Sequence, residues 1–174
     1  MKNNQDKIIG NSFWANIFKK TENKDETTSI LKSVLPFSDL KKSDFASLVS
    51  LIHHRTYFPD EVIFMKGDPG IALYIILEGE IKIELVENNI NWNLAHFSKG
   101  DFFGELALLD NDIRSATAIA VSKCNLAIIF KPDLDEYVFK NPKAGNTILF
   151  GLCRIVTARL RNLNGEYFEL LKKQ

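Results

Sequence analysis

The 174-residue chain has little cysteine, little histidine and no net charge. Its two cysteines, Cys124 and Cys153, lack metal-ligand spacing and indicate a reducing compartment. Because 22 Lys and Arg residues balance 22 Asp and Glu residues, no bulk attraction to nucleic acid or anionic lipid is expected. The sequence has no apolar run of about 18 residues and no signal-peptide pattern. These absences predict a cytoplasmic protein without membrane insertion.

The N-terminal part of the chain has helical periodicity. Apolar residues between Ser12 and Lys20 predict a short helix, and the polar run "KKTENKDETTS" predicts a linker, so residues 1–28 form an N-terminal helix and linker. A membrane-surface helix at Ser12 to Lys20 is the alternative. Residues 29–52 predict further helices, broken at Pro36 and restarted with Ser43 as the N-cap.

Residues 55–130 change to short β-rich runs such as "EVIFM", "LYIILEG" and "NLAIIF". Glycines between the runs supply the tight turns that short strands need. Ile81 and Ile83 alternate with Lys82 and Glu84, so one face of that strand should be buried. The region predicts a small antiparallel β jelly-roll barrel, flanked by the N-terminal helices and a long C-terminal helix, in the α+β class.

After the barrel, residues 131–164 predict two closing helices, and residues 165–174 a C-terminal tail. The second closing helix begins at Asn141-Pro142 and carries an apolar stripe at three- and four-residue spacing. That stripe must be covered by the barrel, by the N-terminal helices or by a second copy of the chain in a homodimer.

The stretch "GDFFGELALLDNDIRSA", Gly100 to Ala116, places a lone Glu105 and a lone Arg114 in apolar sequence. A helical turn after Gly104 would present free N–H groups to an anion, and Arg114 would add a guanidinium fork for phosphate oxygens. Glu105 would accept a hydrogen bond from a ribose hydroxyl. A carboxylate for the ribose and a guanidinium for the phosphate together describe a nucleotide site. The alternative is that Glu105 and Arg114 pair with each other.

"FFGELALLDNDIRSATA" resembles the phosphate-binding cassette of cyclic nucleotide-binding domains, as found in the catabolite activator protein and in regulatory subunits of cyclic-AMP-dependent protein kinase. Residues 31–83 and 141–164 resemble the opening and closing parts of the same family. The resemblance implies that Glu105 binds the ribose 2′-hydroxyl and Arg114 the cyclic phosphate. It also implies further pocket residues, namely Phe103, Gly104, Leu106, Ala107, Ser115 and Ala116. A base cap is expected on the last helix, with Arg159, Leu163 and Asn164 as candidates.

The resemblance implies a stand-alone regulatory module, not an enzyme, that senses cyclic AMP or else cyclic GMP without a metal or other cofactor. Movement of the last helix would relay binding to a protein effector. The sequence after Asn164 is too short for a helix-turn-helix module, so DNA binding is not expected. Two alternatives remain: a degenerate domain used only for interaction, and a cupin-type metalloenzyme. The latter needs a His-x-His pattern, but His53 and His54 are adjacent and His96 is alone.

Overall fold

The computed structural model describes residues 24–106, 109 and 112–173. The helix expected at Ser12 to Lys20 and the pocket residue Ala107 lie outside these residues. Three helices come first: α1 (Lys24–Ser33), α2 (Leu35–Ser38) and α3 (Lys42–Val49). Eight strands follow: β1 (His53–Tyr57), β2 (Val62–Phe64), β3 (Ala72–Glu78), β4 (Ile81–Glu87), β5 (Ile90–Phe97), β6 (Phe102–Phe103), β7 (Thr117–Ala120) and β8 (Cys124–Phe130). Two further helices are α4 (Lys131–Lys140) and α5 (Pro142–Leu171).

The described strands form two four-stranded antiparallel sheets, ordered β1-β8-β3-β6 and β2-β7-β4-β5. This sandwich with flanking helices confirms the predicted jelly-roll class. Gly79 illustrates the turns, because it has a φ of +91° and a Cβ there would lie 2.5 Å from the Lys123 carbonyl oxygen. Only glycine fits both that backbone conformation and that space.

Strand β3 is apolar along almost its whole length because both of its faces are buried. Leu73, Ile75 and Leu77 pack with the helices in one core cluster. Ala72, Tyr74 and Ile76 belong to a second cluster, between the two sheets. Since side chains alternate along a strand, β3 separates a helix-facing core from the core of the sandwich.

Three boundaries differ from the sequence prediction. Helix α1 begins at Lys24, inside the expected linker, because its apolar residues join the helix-facing core. The N-cap of α3 is Lys41 rather than Ser43. Helix α5 continues to Leu171 through the expected tail. Gly165 lies within that segment. Glycine has a low helix propensity and costs the helix about 1 kcal/mol relative to alanine, but it does not break the helix.

Helix α5 has a packed first half and an exposed second half. A Cβ on Gly151 would lie 2.5 Å from the Cα of Pro36, so α2 and α5 meet backbone to backbone. The buried residues of α5 end at Ile155. Beyond it, Leu160, Leu163 and Tyr167 are each more than half exposed. Among the described helices, none has the length and apolarity needed to cross a bilayer.

Candidate functional site

A cavity of about 310 Å³ opens between the β2-β7-β4-β5 sheet, the segment after β6, and α5. Its volume suits a small organic ligand. One side is apolar and is formed by residues of the second sheet, among them Ile83, Leu94 and Ala95. Charged side chains reach the other side, namely Glu105, Asp112, Arg114 and Arg159. The cavity therefore combines an apolar wall with a charged end.

Gly104 forms the backbone at the charged end, directly after β6. Its φ is +83°, a conformation that L side chains rarely adopt. A Cβ there would also lie 2.7 Å from Nη1 of Arg114 and 3.1 Å from the carbonyl oxygen of Ala72. Glycine is thus required twice, for the backbone turn and for room beside the guanidinium.

Arg114 is a buried cation, with 3% of its surface exposed. Its Nη1 donates to the Gly104 carbonyl oxygen at 2.8 Å, and its Nη2 donates to the Ala72 carbonyl oxygen at 2.7 Å. Its carbon Cζ lies 4.2 Å from the centre of the Phe64 ring. Burial lowers the pKa of Arg114, yet a guanidinium remains charged at neutral pH.

The charge of Arg114 has no ion-pair partner within the described part of the chain, and its buried Nε has no hydrogen-bond acceptor there. Buried charges are normally paired, because an isolated charge is poorly solvated in the interior. The carboxylates of Asp68 and Glu105 favour the charged form of Arg114 without forming an ion pair with it, so the positive charge at the cavity favours an anion there.

Glu105 pairs with Arg159 of α5 and not with Arg114. Nη1 of Arg159 donates to Oε1 of Glu105, and Nη2 donates to the Phe102 carbonyl oxygen at 2.9 Å. Glu105 is 2% exposed. The structure therefore does not contain the alternative ion pair between Glu105 and Arg114. Glu105 and Arg159 are 54 positions apart, which explains why local sequence patterns gave no signal for this pair.

The turn after Gly104 has the expected helical character. Leu106 and Leu109 are helical, and the Leu109 N–H donates to the Glu105 carbonyl oxygen at 3.3 Å. Further along, the Arg114 N–H donates to the Asp68 carbonyl oxygen at 2.8 Å, which ties the returning segment to the loop after β2. The two ends of the segment are thus anchored separately.

The family model of the cyclic nucleotide-binding domain matches residues 54–141, just over half of the chain. The chain belongs to the cyclic nucleotide-binding domain family. This confirms the resemblance inferred from the cassette. The matched residues contain both sheets except His53, together with Glu105, Asp112 and Arg114 of the charged end, whereas α5 and its Arg159 lie after the match.

Two relatives of this cyclic nucleotide-binding domain have names that refer to cyclic AMP. It is 36% identical over 110 residues to a cAMP-dependent protein kinase regulatory subunit of Hypocrea atroviridis, covering 63% of this chain and 22% of that protein. It is 30% identical over 133 residues to the cyclic AMP receptor protein of Thermus thermophilus, covering 75% of this chain and 59% of that one. The chain thus spans less than two thirds of either relative.

The solved structure of a cyclic nucleotide-binding domain from Methylobacillus flagellatus is similar to this chain, with a TM-score of 0.74 and 27% identity. The match covers 87% of this chain and 84% of that one. Because it extends over nearly all of both chains, the helices belong to the shared architecture as much as the sheets do.

The structure brings most of the predicted site residues of this domain to one cavity. Those that line it are Phe103, Gly104, Glu105, Leu106, Arg114, Ser115, Ala116 and Arg159. Asn164 and Leu163, the other base-cap candidates, are exposed and do not line it. The sequence analysis did not predict the apolar wall of the cavity, because Ile83 and Leu94 have the pattern of ordinary strand residues.

Proposed function

We propose that this chain is a regulatory module that binds cyclic AMP, without a metal or other cofactor, and relays binding to a protein partner through α5. One observation carries the proposal. Arg114 is 3% exposed, lines a cavity of about 310 Å³, and has no ion-pair partner among the described residues. An anionic ligand would supply the missing charge. Two relatives of the chain are named for cyclic AMP, which favours adenosine over guanosine.

In the proposed complex, separate protein groups bind the phosphate, the ribose and the base of the nucleotide. Arg114 and the Ser115 hydroxyl would bind the cyclic phosphate, together with backbone N–H groups of the turn at Leu106 and Ala107. Glu105 would accept a hydrogen bond from the ribose 2′-hydroxyl. The base would lie against the apolar wall that includes Ile83, with Phe103 and Ala116 as further contacts. The only chemistry required is binding, which is consistent with a sensor and not an enzyme.

Titration calorimetry with cyclic AMP and cyclic GMP, each up to millimolar concentration, tests this proposal. We expect heat and a raised melting temperature with cyclic AMP, since a ligand that binds the folded state stabilises it. Linear AMP is the matched control for a nucleotide without the cyclic phosphate. If neither cyclic nucleotide binds, the sensor proposal fails, and a degenerate domain used only for interaction replaces it.

We further propose that α5 joins two copies of the chain in a homodimer. Its exposed apolar side has the alternating four- and three-residue spacing of a coiled coil. The positions of this seam are Leu149, Cys153, Val156, Leu160, Leu163, Tyr167 and Leu170. They span about 31 Å of helix. A seam of this length fits a second copy of the same helix, since each copy then covers the other.

Oxidation of the native cysteines tests the dimer directly. In a parallel, in-register pair, Cys153 faces its own copy across the two-fold axis. Cys124 is buried, so only Cys153 is accessible. Mild oxidation should yield a covalent dimer that Cys153→Ser abolishes, and Leu163→Asp should leave a monomer in sedimentation. A wild-type monomer at high micromolar concentration, with and without cyclic AMP, would reject the homodimer.

The proposed cellular setting follows from the same features. Two unpaired cysteines, one buried and one exposed, are compatible with the reducing cytoplasm. The exposed second half of α5 is our proposed site of effector docking or dimer contact.

A further inference from the structure

Strands β4 and β5 carry an apolar surface that continues past the wall of the cavity. Ile83 lines the cavity, Leu85 follows it on the same face of β4, and Trp92 lies opposite Leu85 in the register. Ile90 shares the face of Trp92, and Leu94, at the irregularity of the register, lines the cavity. Ile90, Trp92 and Leu94 are each more than half exposed. We call Leu85, Ile90, Trp92 and Leu94 the rim patch.

The rim patch has the features of a surface that another apolar surface covers. Single exposed apolar residues are common, but several that share one face of a strand indicate an interaction site. Strand β5 is also an edge strand, at one end of the order β2-β7-β4-β5, and it is eight residues long. Natural proteins protect such edges by keeping them short, charged or covered. We therefore expect the rim patch to have a partner.

The start of α1 is held close to the end of β5. Glu26, in the first turn of α1, accepts a hydrogen bond from Nζ of Lys99 at 2.6 Å. Strand β5 ends at Phe97, two positions before Lys99. The part of the chain that precedes α1 is therefore attached to the domain beside the C-terminal end of β5.

The residues before α1 lie outside the described part of the chain, and their sequence contains an apolar segment, residues 13–18. Glu26 lies eight positions after Phe18, a length of extended chain that spans at most about 29 Å. Trp92 lies seven positions before Lys99, which is at most about 24 Å along a strand. The segment can therefore reach the rim patch. Its large apolar residues, with the spacing of one helical face, are Phe13, Trp14, Ile17 and Phe18.

We propose that residues 13–18 pack against the rim patch of their own chain. Attachment through α1 gives the segment an effective concentration on the order of millimolar, which favours it over a free partner. The exposed seam of α5 stays available for a second copy, because the seam and the rim patch are on different elements. Since Leu94 also lines the cavity, the packed segment borders the proposed nucleotide site.

The two tryptophans of the chain report on the two sides of this contact, Trp14 in the segment and Trp92 in the rim patch. Trp14→Phe leaves Trp92 as the single fluorophore. In that background, Ile17→Asp should shift Trp92 emission to longer wavelength and increase its quenching by acrylamide, because a charge cannot stay in an apolar contact. Ile8→Asp is the matched control outside the segment and should leave both readings unchanged.

A reciprocal pair of variants tests the rim patch. Trp92→Phe leaves Trp14 as the fluorophore. Ile90→Asp should then shift Trp14 emission to longer wavelength, whereas Val86→Asp should not. Val86 is 60% exposed and pairs with Asn91, so it lies on the opposite face of the same hairpin. Circular dichroism and melting temperatures check that each variant is folded.

These measurements use no nucleotide, so their outcome is independent of the proposed function. Unchanged Trp92 emission in Ile17→Asp overturns the inference, because the segment then does not cover the rim patch. Trp92 emission that shifts on dilution assigns the contact to a second copy and also overturns it. The same holds if Trp14 emission responds to anionic lipid vesicles but not to Ile90→Asp, since the segment then binds a membrane surface.

Discussion

Replacement of Arg114 by alanine is the most direct perturbation of the cavity. If Arg114 binds the phosphate, its loss leaves a partly desolvated anion without its partner, which costs about 3 kcal/mol or more. At about 1.4 kcal/mol per tenfold change, this is at least about 150-fold in Kd for cyclic AMP. Glu105→Ala removes one hydrogen bond to a charged group, about 1.5–3 kcal/mol. We therefore expect Arg114→Ala to weaken binding more than Glu105→Ala.

Arg114 also contributes to the fold, and the assay must separate the two effects. The substitution leaves the carbonyl oxygens of Gly104 and Ala72 without their donors, each worth about 1–3 kcal/mol if they stay buried. Calorimetry below the melting temperature of each variant measures affinity on folded protein. Arg114→Lys retains the charge and is the matched control. Equal Kd values for the wild type and Arg114→Ala would show that this guanidinium does not bind the phosphate.

Three other predictions concern the turn, the helix and pH. Gly104→Ala should lower both melting temperature and affinity, because its Cβ would meet the guanidinium of Arg114; unchanged values contradict this. Hydrogen exchange across residues 147–164 should change with cyclic AMP; identical exchange would exclude the helix relay. Burial lowers the pKa of His54 below 6.5, so the free energy of unfolding should fall as pH drops through 6.5. His54→Gln should remove this slope and His96→Gln should not.

Local patterns were enough to predict the sandwich and the two charged residues of the cavity. Alternation of apolar and polar residues marks the strands, and glycines between them mark the turns. The structure has such a turn at Gly79, where φ is +91°. Both signals act within a few residues of the chain. Glu105 and Arg114 stand out for the same reason, since charged residues in an apolar stretch need a partner or a ligand. The nucleotide interpretation of that stretch came from the chemistry of its residues and from its resemblance to a family.

The partners of those residues were decided only by tertiary structure. Glu105 meets Arg159 across 54 residues, because packing of the first half of α5 brings that turn of the helix beside β6. The same packing, with Gly151 against α2, determines which side of α5 is covered and which stays exposed. Periodicity shows that a helix has an apolar stripe, but not what covers it, since a stripe carries no information about distant neighbours.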